Sequence, residues 1–335
     1  LFLDEPTNHL DLDTIEWLES YLQSYQGTVV IVSHDRRFID KVCNTVVEIS
    51  SYQAHRYEGN YSQYQIERKR RVESDERKKK QVQKEIARLE KQIDRFRQTN
   101  PGFVHSKEKY IERIQVEDKA VEKPRGFSAS FQSKRRGGQD VLVAEKLAIG
   151  YNDPLLTIDL DLKRGRRYAV IGPNGSGKST LLKTIAKKID PLGGDFLYGH
   201  QIDVGYFDQD LYQFNPQDTV LQAIWYHFPD LTITEIRQAL AQFLFTSEDI
   251  EKTVSVLSGG ERVRLSLLYL MLSQDNFLIL DEPSNHMDLY AREAFEEALE
   301  RYDGTVLFVS HDRYFVDKIA TDLLIIDNGE VYHSE

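Results

Sequence analysis

Apolar residues along this chain follow two rhythms. Short unbroken runs at Tyr168–Ile171, Phe277–Leu280 and Thr305–Val309 show no polar alternation, as expected of strands covered on both faces inside a parallel sheet. Helical spacing fills the stretches between them. Ser179–Lys188 follows the first run across a glycine-rich loop, and Arg292–Tyr302 separates the last two runs, closing a strand–helix–strand unit. From Pro216 to Ser273 the pattern is helical without strands, which predicts a helical subdomain inserted in the core. The expected class is α/β with a mostly parallel sheet.

A third rhythm lies at 61–122. Val82, Ile86, Leu89, Ile93 and Phe96 recur at alternating spacings of four and three, a heptad seam. Gln98–Val104, with Asn100-Pro101-Gly102, breaks it, and Tyr110, Ile114 and Val121 offer a facing stripe. The pattern predicts an α-helical hairpin. At 1.5 Å per residue, its seam alone runs roughly 20 Å.

The sequence also repeats itself. Displaced by 277 positions, LFLDEPTNHLDL (1–12) aligns with LILDEPSNHMDL (278–289), and GTVVIVSHDRRFIDK (27–41) with GTVLFVSHDRYFVDK (304–318). Over residues 1–43 there are 24 identities, far beyond chance. One and a half modules are expected: the tail half of a first module over 1–60, the helical connector over 61–125, and a second module over 126–335.

Charge sharpens this picture. The net charge is −11, yet residues 61–136 carry 22 Lys and Arg against 12 Asp and Glu. A basic island in an acidic chain is a candidate contact for an anionic polymer. It reads either as a solvated coiled-coil face or as an RNA-backbone contact, and the local excess favours RNA. KRRGG (134–138) adds phosphate contacts or forms a plain loop. Tyr52, Tyr57, Tyr61 and Tyr64 stack on bases or pack the connector root. No apolar run approaches the roughly 18 residues of a membrane span, so membrane insertion is not expected. The lone cysteine, Cys43, excludes a disulfide framework and fits a cytoplasmic setting.

The chemistry gathers around GPNGSGKST (172–180). It fits G-x-x-x-x-G-K-[ST] through Gly172, Gly177, Lys178 and Ser179, between a strand and a helix. Gly172, Pro173, Asn174, Gly175, Ser176, Gly177 and Thr180 complete a loop whose backbone N–H groups turn toward phosphate oxygens. Lys178 reaches the β- and γ-oxygens, and the Ser179 hydroxyl is placed to ligate Mg²⁺. In FLILDEP (277–283) an apolar strand ends in Asp281, expected to hold Mg²⁺ through water, and Glu282, expected to orient or deprotonate the attacking water. Asp4 and Glu5 repeat that pair. VSHDR (309–313) offers His311 as a γ-phosphate contact, and His34 repeats it. Gln209 is a candidate Mg²⁺ and water contact or a surface glutamine. Tyr151 either stacks on adenine or joins the core.

LSGGE (257–261) opens a helix. Ser258 and Glu261 fit a capping box, but a cap needs no glycines, and Ser258, Gly259 and Gly260 also make a bare phosphate cradle.

GPNGSGKST, LSGGE, LILDEP and VSHD in this order resemble the nucleotide-binding domain of the ATP-binding cassette family, over nearly all of 139–335 and again in 1–60. The duplicated EPTNHLD (5–11) and EPSNHMD (282–288), with YEGNYSQY after the first copy, further resemble the ABC-F subfamily of soluble tandem cassettes. Ser284 and Met287 replace the Thr and Leu seen at Thr7 and Leu10. The resemblance implies an ATPase using Mg²⁺, whose two cassettes close head to tail over ATP. Each phosphate loop then meets the other cassette's LSGGE, and Asp11 and Asp288 lie in the loop crossing the interface. It also implies that the connector reaches the ribosome, contacting rRNA and tRNA, in a translation factor or an antibiotic-protection factor. Because the first module is expected to lack its own phosphate loop and signature here, weak hydrolysis is expected unless two copies associate as a homodimer. Two other readings stay open: the ATPase subunit of a transporter, which gives no reason for a basic hairpin, and a DNA-binding or repair ATPase.

Overall fold

A computed structural model describes residues 1–7, 10, 12–33, 35–50, 53–96, 101–119, 127, 129–207, 211, 213–285, 287–327 and 329–334. The chain divides into two compact units, 1–20 with 27–35 and 125–335, and 21–26 with 36–124.

The elements of the first 60 residues are β1 (Phe2–Asp4), α1 (Leu12–Ser24), β2 (Val30–Val32), α2 (Arg36–Val42), β3 (Thr45–Ser50) and β4 (Gln53–Glu58). Then come α3 (Tyr61–Phe96) and α4 (Pro101–Lys119). The remainder holds β5 (Asp140–Gly150), β6 (Pro154–Lys163), β7 (Arg167–Ile171), α5 (Lys178–Ile185), β8 (Gly193–Tyr198), β9 (Val204–Phe207), α6 (Val220–His227), α7 (Ile233–Gln242) and α8 (Gly259–Ser273). It ends with β10 (Phe277–Asp281), α9 (Leu289–Arg301), β11 (Thr305–Val309), α10 (Arg313–Ile319), β12 (Asp322–Asp327) and β13 (Glu330–Ser334).

A six-stranded sheet of order β13-β12-β7-β11-β10-β9 is parallel except for the β12–β13 hairpin. Its inner strands β10 and β11 are apolar almost throughout because both faces are covered, whereas the edge strand β13 is polar and largely exposed. Ala169, Leu278, Leu280, Val306 and Phe308 point into one core shared with α6, α7 and α8. Tyr168, Val170, Phe277, Ile279, Leu307 and Val309 point into a second core with α5 and a three-stranded antiparallel sheet, β6-β5-β8. The α/β class with a mostly parallel sheet and inserted helices is thus what the chain adopts. A parallel sheet gathers the C-terminal ends of its strands along one edge, and the loops there carry 172–180, Asp281–Glu282 and Ser310–His311.

Two helix boundaries differ from the sequence reading. The helix after the glycine-rich loop starts at Lys178 and stops at Ile185, because Lys187 takes a left-handed conformation (φ 55°). The helix between β10 and β11 begins at Leu289, three residues early, because the Asp288 carboxylate accepts from the Ala291 N–H (2.8 Å) and caps it there.

The repeat survives as geometry. β1 and β2 pair Phe2↔Val30, Leu3↔Ile31 and Asp4↔Val32, the register of Ile279↔Leu307, Leu280↔Phe308 and Asp281↔Val309 displaced by the repeat. Flanking strands set the two copies apart. In the second copy Ile279, Leu307 and Val309 are buried between β9 and β7, whereas Phe2, Val30 and Val32 of the two-stranded copy are exposed.

In the other unit, α3 and α4 form a hairpin joined by Ile86, Leu89, Ile93, Val104 and Ile111. The facing stripe is therefore Val104 and Ile111, not Tyr110, whose hydroxyl instead donates to Glu85 (3.4 Å). The side chains of Phe96 and Ile114, and all of Val121, lie outside the described residues. Tyr57, Tyr61 and Tyr64 are buried against one another, so they pack the connector root. Tyr52 lies outside the described residues. Among the described residues no helix is long and apolar enough to cross a membrane.

Candidate functional site

The loop at 172–180 leaves β7 and enters α5. Its path depends on glycine at two points. A Cβ on Gly172 would sit 2.6 Å from the Ile326 carbonyl oxygen, and Gly177 is left-handed at φ 96°. Gly177 caps α5 without a side-chain bond, so the first N–H groups of that helix face the loop with the positive end of its dipole. Lys178 is buried here, donating to the carbonyls of Gly172 (2.9 Å) and Pro173 (2.8 Å). Burial lowers its ammonium pKa, while the charges of Glu282 and Asp281 pull it back up. The Ser176 hydroxyl oxygen is enclosed and has no hydrogen-bond partner among the described residues. An enclosed oxygen of that kind is open to a hydrogen bond from water or a ligand in the loop.

Beside the loop, the Ser179 hydroxyl donates to Asp281 Oδ1 (2.9 Å). The pair presents two hard oxygen donors, which suits Mg²⁺ shared with phosphate oxygens. Burial raises the Asp281 carboxyl, and Ser179, Lys183 and Lys178 oppose it. One residue on, Glu282 is left-handed (φ 48°) and its N–H donates to the Val309 carbonyl (3.0 Å). That turn aims the carboxylate at β11's end. Its Oε2 accepts from the His311 N–H (3.2 Å), and its Oε1 lies 3.4 Å from His311 Nε2. Burial pushes the Glu282 pKa up to about 7. The His311 amide and Lys178 work against this, and Asp281 and Asp312 reinforce it. Lys178, Ser179, Asp281, Glu282 and His311 therefore meet at one edge of the sheet.

The first copy repeats this turn. Glu5 is left-handed (φ 43°) and its N–H donates to the Val32 carbonyl (2.8 Å) just after the exposed Asp4. Asp11, His34 and Gln209 lie outside the described residues. Tyr151 stands exposed in the turn between β5 and β6, so it is not a core residue.

At the start of α8, Ser258 and Glu261 form a reciprocal capping box. Burial works to raise the Glu261 carboxyl, but the Ser258 hydroxyl and N–H and the Lys252 ammonium (3.0 Å) outweigh it and hold it low. Thr219/Gln222 and Thr232/Glu235 cap α6 and α7 in the same way, with Val220-Leu221 and Ile233-Thr234 between the partners. Only the third box places two glycines there, Gly259 and Gly260. Capping alone does not demand them.

One positioning residue escaped the sequence reading. Arg292, buried in α9, donates from Nη1 to Asp312 Oδ2 (2.8 Å) and from Nη2 to the Ser284 carbonyl (3.3 Å). It thereby ties the segment after Glu282 to the one after His311. Its helical position four residues beyond the Asp288 cap was the available signal.

A phosphate-cradling loop after β7, with an acid pair at the end of β10 one strand further across β11, defines a P-loop nucleotide-binding domain. Residues 155–285 match the family model described as ABC transporter, and residues 47–132 match a second model of the same description. The chain is 45% identical over 336 residues to a Bacillus subtilis protein named YdiF, covering 99% of this chain and 52% of that protein. It is 39% identical over 337 residues to ABC transporter F family member 2 of Arabidopsis thaliana, covering 98% of this chain and 50% of that one. The chain thus spans about half the length of the curated relatives it matches. Among solved structures, a dimeric post-hydrolysis state of the ATP-binding cassette MJ0796 bound to ADP and Pi covers 58% of the chain, with a TM-score of 0.49 and 19% identity. The phosphate loop, the LSGGE segment and the acid pair all fall within the 155–285 match.

Proposed function

We propose that this chain belongs to an ABC-F-type ATPase whose closure over ATP governs binding to the ribosome, as a translation factor or a ribosome-protection factor. The chemistry assigned to the site is hydrolysis of ATP to ADP and phosphate. Lys178 and the N–H groups opening α5 hold the β- and γ-phosphates, and Tyr151 stacks on adenine. Ser179, Asp281 and Gln209 are the residues that would hold Mg²⁺, whose charge offsets that of the phosphates when bound. Glu282 takes a proton from water as the water oxygen bonds to the γ-phosphorus. The bond from that phosphorus to the bridging oxygen breaks, and the electron pair leaves with ADP. A carboxylate with a pKa near 7 is matched to that proton transfer. His311 keeps Glu282 oriented and contacts the γ-phosphate.

Ser258, Gly259, Gly260 and Glu261 serve the opposing cassette's ATP, and Asp11 and Asp288 cross between cassettes. Asp4, Glu5 and His34 are the corresponding residues of the first copy. The connector at 61–125 is assigned to rRNA and tRNA. The observation that carries this over a transporter subunit is the basic connector: 19 Lys and Arg against 12 Asp and Glu over residues 61–125 of an otherwise acidic chain. A partner of a membrane protein has no use for it.

The test traps ATP with Glu282→Gln and Glu5→Gln in the full-length protein, followed by sedimentation of lysate. Hydrolysis is expected to fall by at least ~100-fold with ATP retained, and the variant is expected to co-migrate with ribosomes. Migration with membranes or the nucleoid instead overturns the reading.

A further inference from the structure

The N-terminal ends of β7, β10 and β11 lie about 16 Å from the phosphate loop, the length of five strand residues. A cavity of about 560 Å³ opens there, lined among others by Lys134, Arg136, Arg164, Asn276 and Asp303. Two basic tracts far apart in sequence, 134–136 and 163–167, converge around it.

Three of the seven cations in these tracts face carboxylates. Lys163 pairs with Asp140 and Asp161 (2.7 Å each), Arg135 is held at both ends by Asp203 (2.6 and 2.7 Å), and Arg166 faces Asp322 (3.5 Å). Three others do not. Among the described residues Arg164 donates only to neutral acceptors, the Gly137 carbonyl (2.7 Å) and Gln139 Oε1 (3.3 Å), so no carboxylate offsets it. Among the described residues the Lys134 ammonium and Arg136 guanidinium have no partner. One carboxylate, Asp303, faces the same space and accepts from the Ser133 hydroxyl (2.9 Å). The lining is therefore positive in a chain of net charge −11.

We propose that this cavity binds a phosphodiester and grips an RNA backbone, with Lys134, Arg136 and Arg164 as its phosphate donors. Its volume falls in the ~300–1,000 Å³ range of sites that take nucleotide-sized ligands, more than a lone phosphate fills. Lys134 and Arg136 stand exposed at its rim, so a polymer can enter and leave. Fixing the Arg135 side chain to Asp203 anchors the segment between them. The choice of RNA as the polymer rests on the ribosome reading above.

The test titrates the full-length protein with fluorescein-labelled single-stranded RNA at several salt concentrations. Lys134→Gln/Arg136→Gln removes two side chains that make no bonds to the described residues. Each phosphate neutralised by the protein adds roughly 0.7 to the slope of log affinity against log salt. Without two of them the slope becomes shallower by about 1.4, so affinity falls about sevenfold less between 50 and 200 mM salt. ATP binding stays unchanged, which reports an intact fold. An equal effect from Lys187→Gln/Lys188→Gln, two cations outside the cavity, means unspecific charge and overturns the site. RNA affinity unchanged in the cavity variant, with inorganic phosphate still bound in the parent's cavity, overturns the polymer. The connector variant Lys69→Gln/Arg70→Gln separates the two proposals. Loss of ribosome binding there, with RNA binding intact in the cavity variant, leaves the ribosome reading standing and removes this one; ribosome binding retained there, with RNA binding lost in the cavity variant, keeps this one and removes the connector as the ribosome contact.

Discussion

Glu282 carries a proton equilibrium that its surroundings have moved. Its free carboxyl titrates near 4.5, and burial lifts it to about 7. Between those values the folded state binds more protons than the unfolded one, so this group lowers stability as pH rises from about 4.5 to about 7. Over the same interval its capacity to accept a proton from water grows. Selective ¹³C labelling of the nucleotide-free chain is expected to show the Glu282 side chain titrating near pH 7. A midpoint near 4.5 would show that the enclosure described here does not form. The Asp281 carboxyl rises for the same cause but keeps the Ser179 hydroxyl as a counterweight, so the two neighbouring acids are set apart in role by their contacts.

Helix starts in the helical layer are written in a common grammar, three capping boxes on α6, α7 and α8. Ser258→Ala is expected to cost about 1 kcal/mol of stability, as loss of such a cap does, measured by chemical denaturation. Thr232→Ala, the same lesion at α7, is expected to cost a similar amount while leaving ATP turnover untouched. A matching effect of both variants on turnover would reduce Ser258 to a cap. Much of the element order was legible because fully covered strands are apolar without interruption, and Phe277–Asp281 and Thr305–Val309 fit that signature closely. The antiparallel sheet of β5, β6 and β8 was not read, although Leu156, Ile158, Leu160 and Leu162 alternate inward with period two. Short loop and signature motifs overshadowed that quieter pattern. The hairpin partner was misjudged because Tyr110 is apolar in bulk but finds a polar partner in Glu85, leaving Val104 and Ile111 to close the seam. Arg292 was passed over since charge in a helix usually marks the wet face. Here the helix buries it because Asp312 and the Ser284 carbonyl satisfy it.

Across the whole molecule, these 335 residues hold one phosphate loop, at 172–180, and one LSGGE, at 257–261. If each ATP is closed between a loop and the signature of another cassette, turnover per chain should climb with chain concentration as copies meet. Steady-state ATPase assays over a wide dilution series check this; a flat profile would mean that a single copy completes its own site. The charge layout belongs to the same scale. With positive charge concentrated in the hairpin and just after it and negative charge elsewhere, the proposed polyanion would be met by one region and repelled by the rest of the surface.

The left-handed backbone at Glu282, mirrored at Glu5, has a cost that its side chain does not reveal. Glycine accepts that dihedral freely, and glutamate does so at about 1 kcal/mol. Glu282→Gly is therefore expected to melt at a higher temperature than the parent by calorimetry and to turn over no ATP. Sturdiness and the water-activating role proposed for the carboxylate are opposed at one torsion angle, and both copies carry glutamate there.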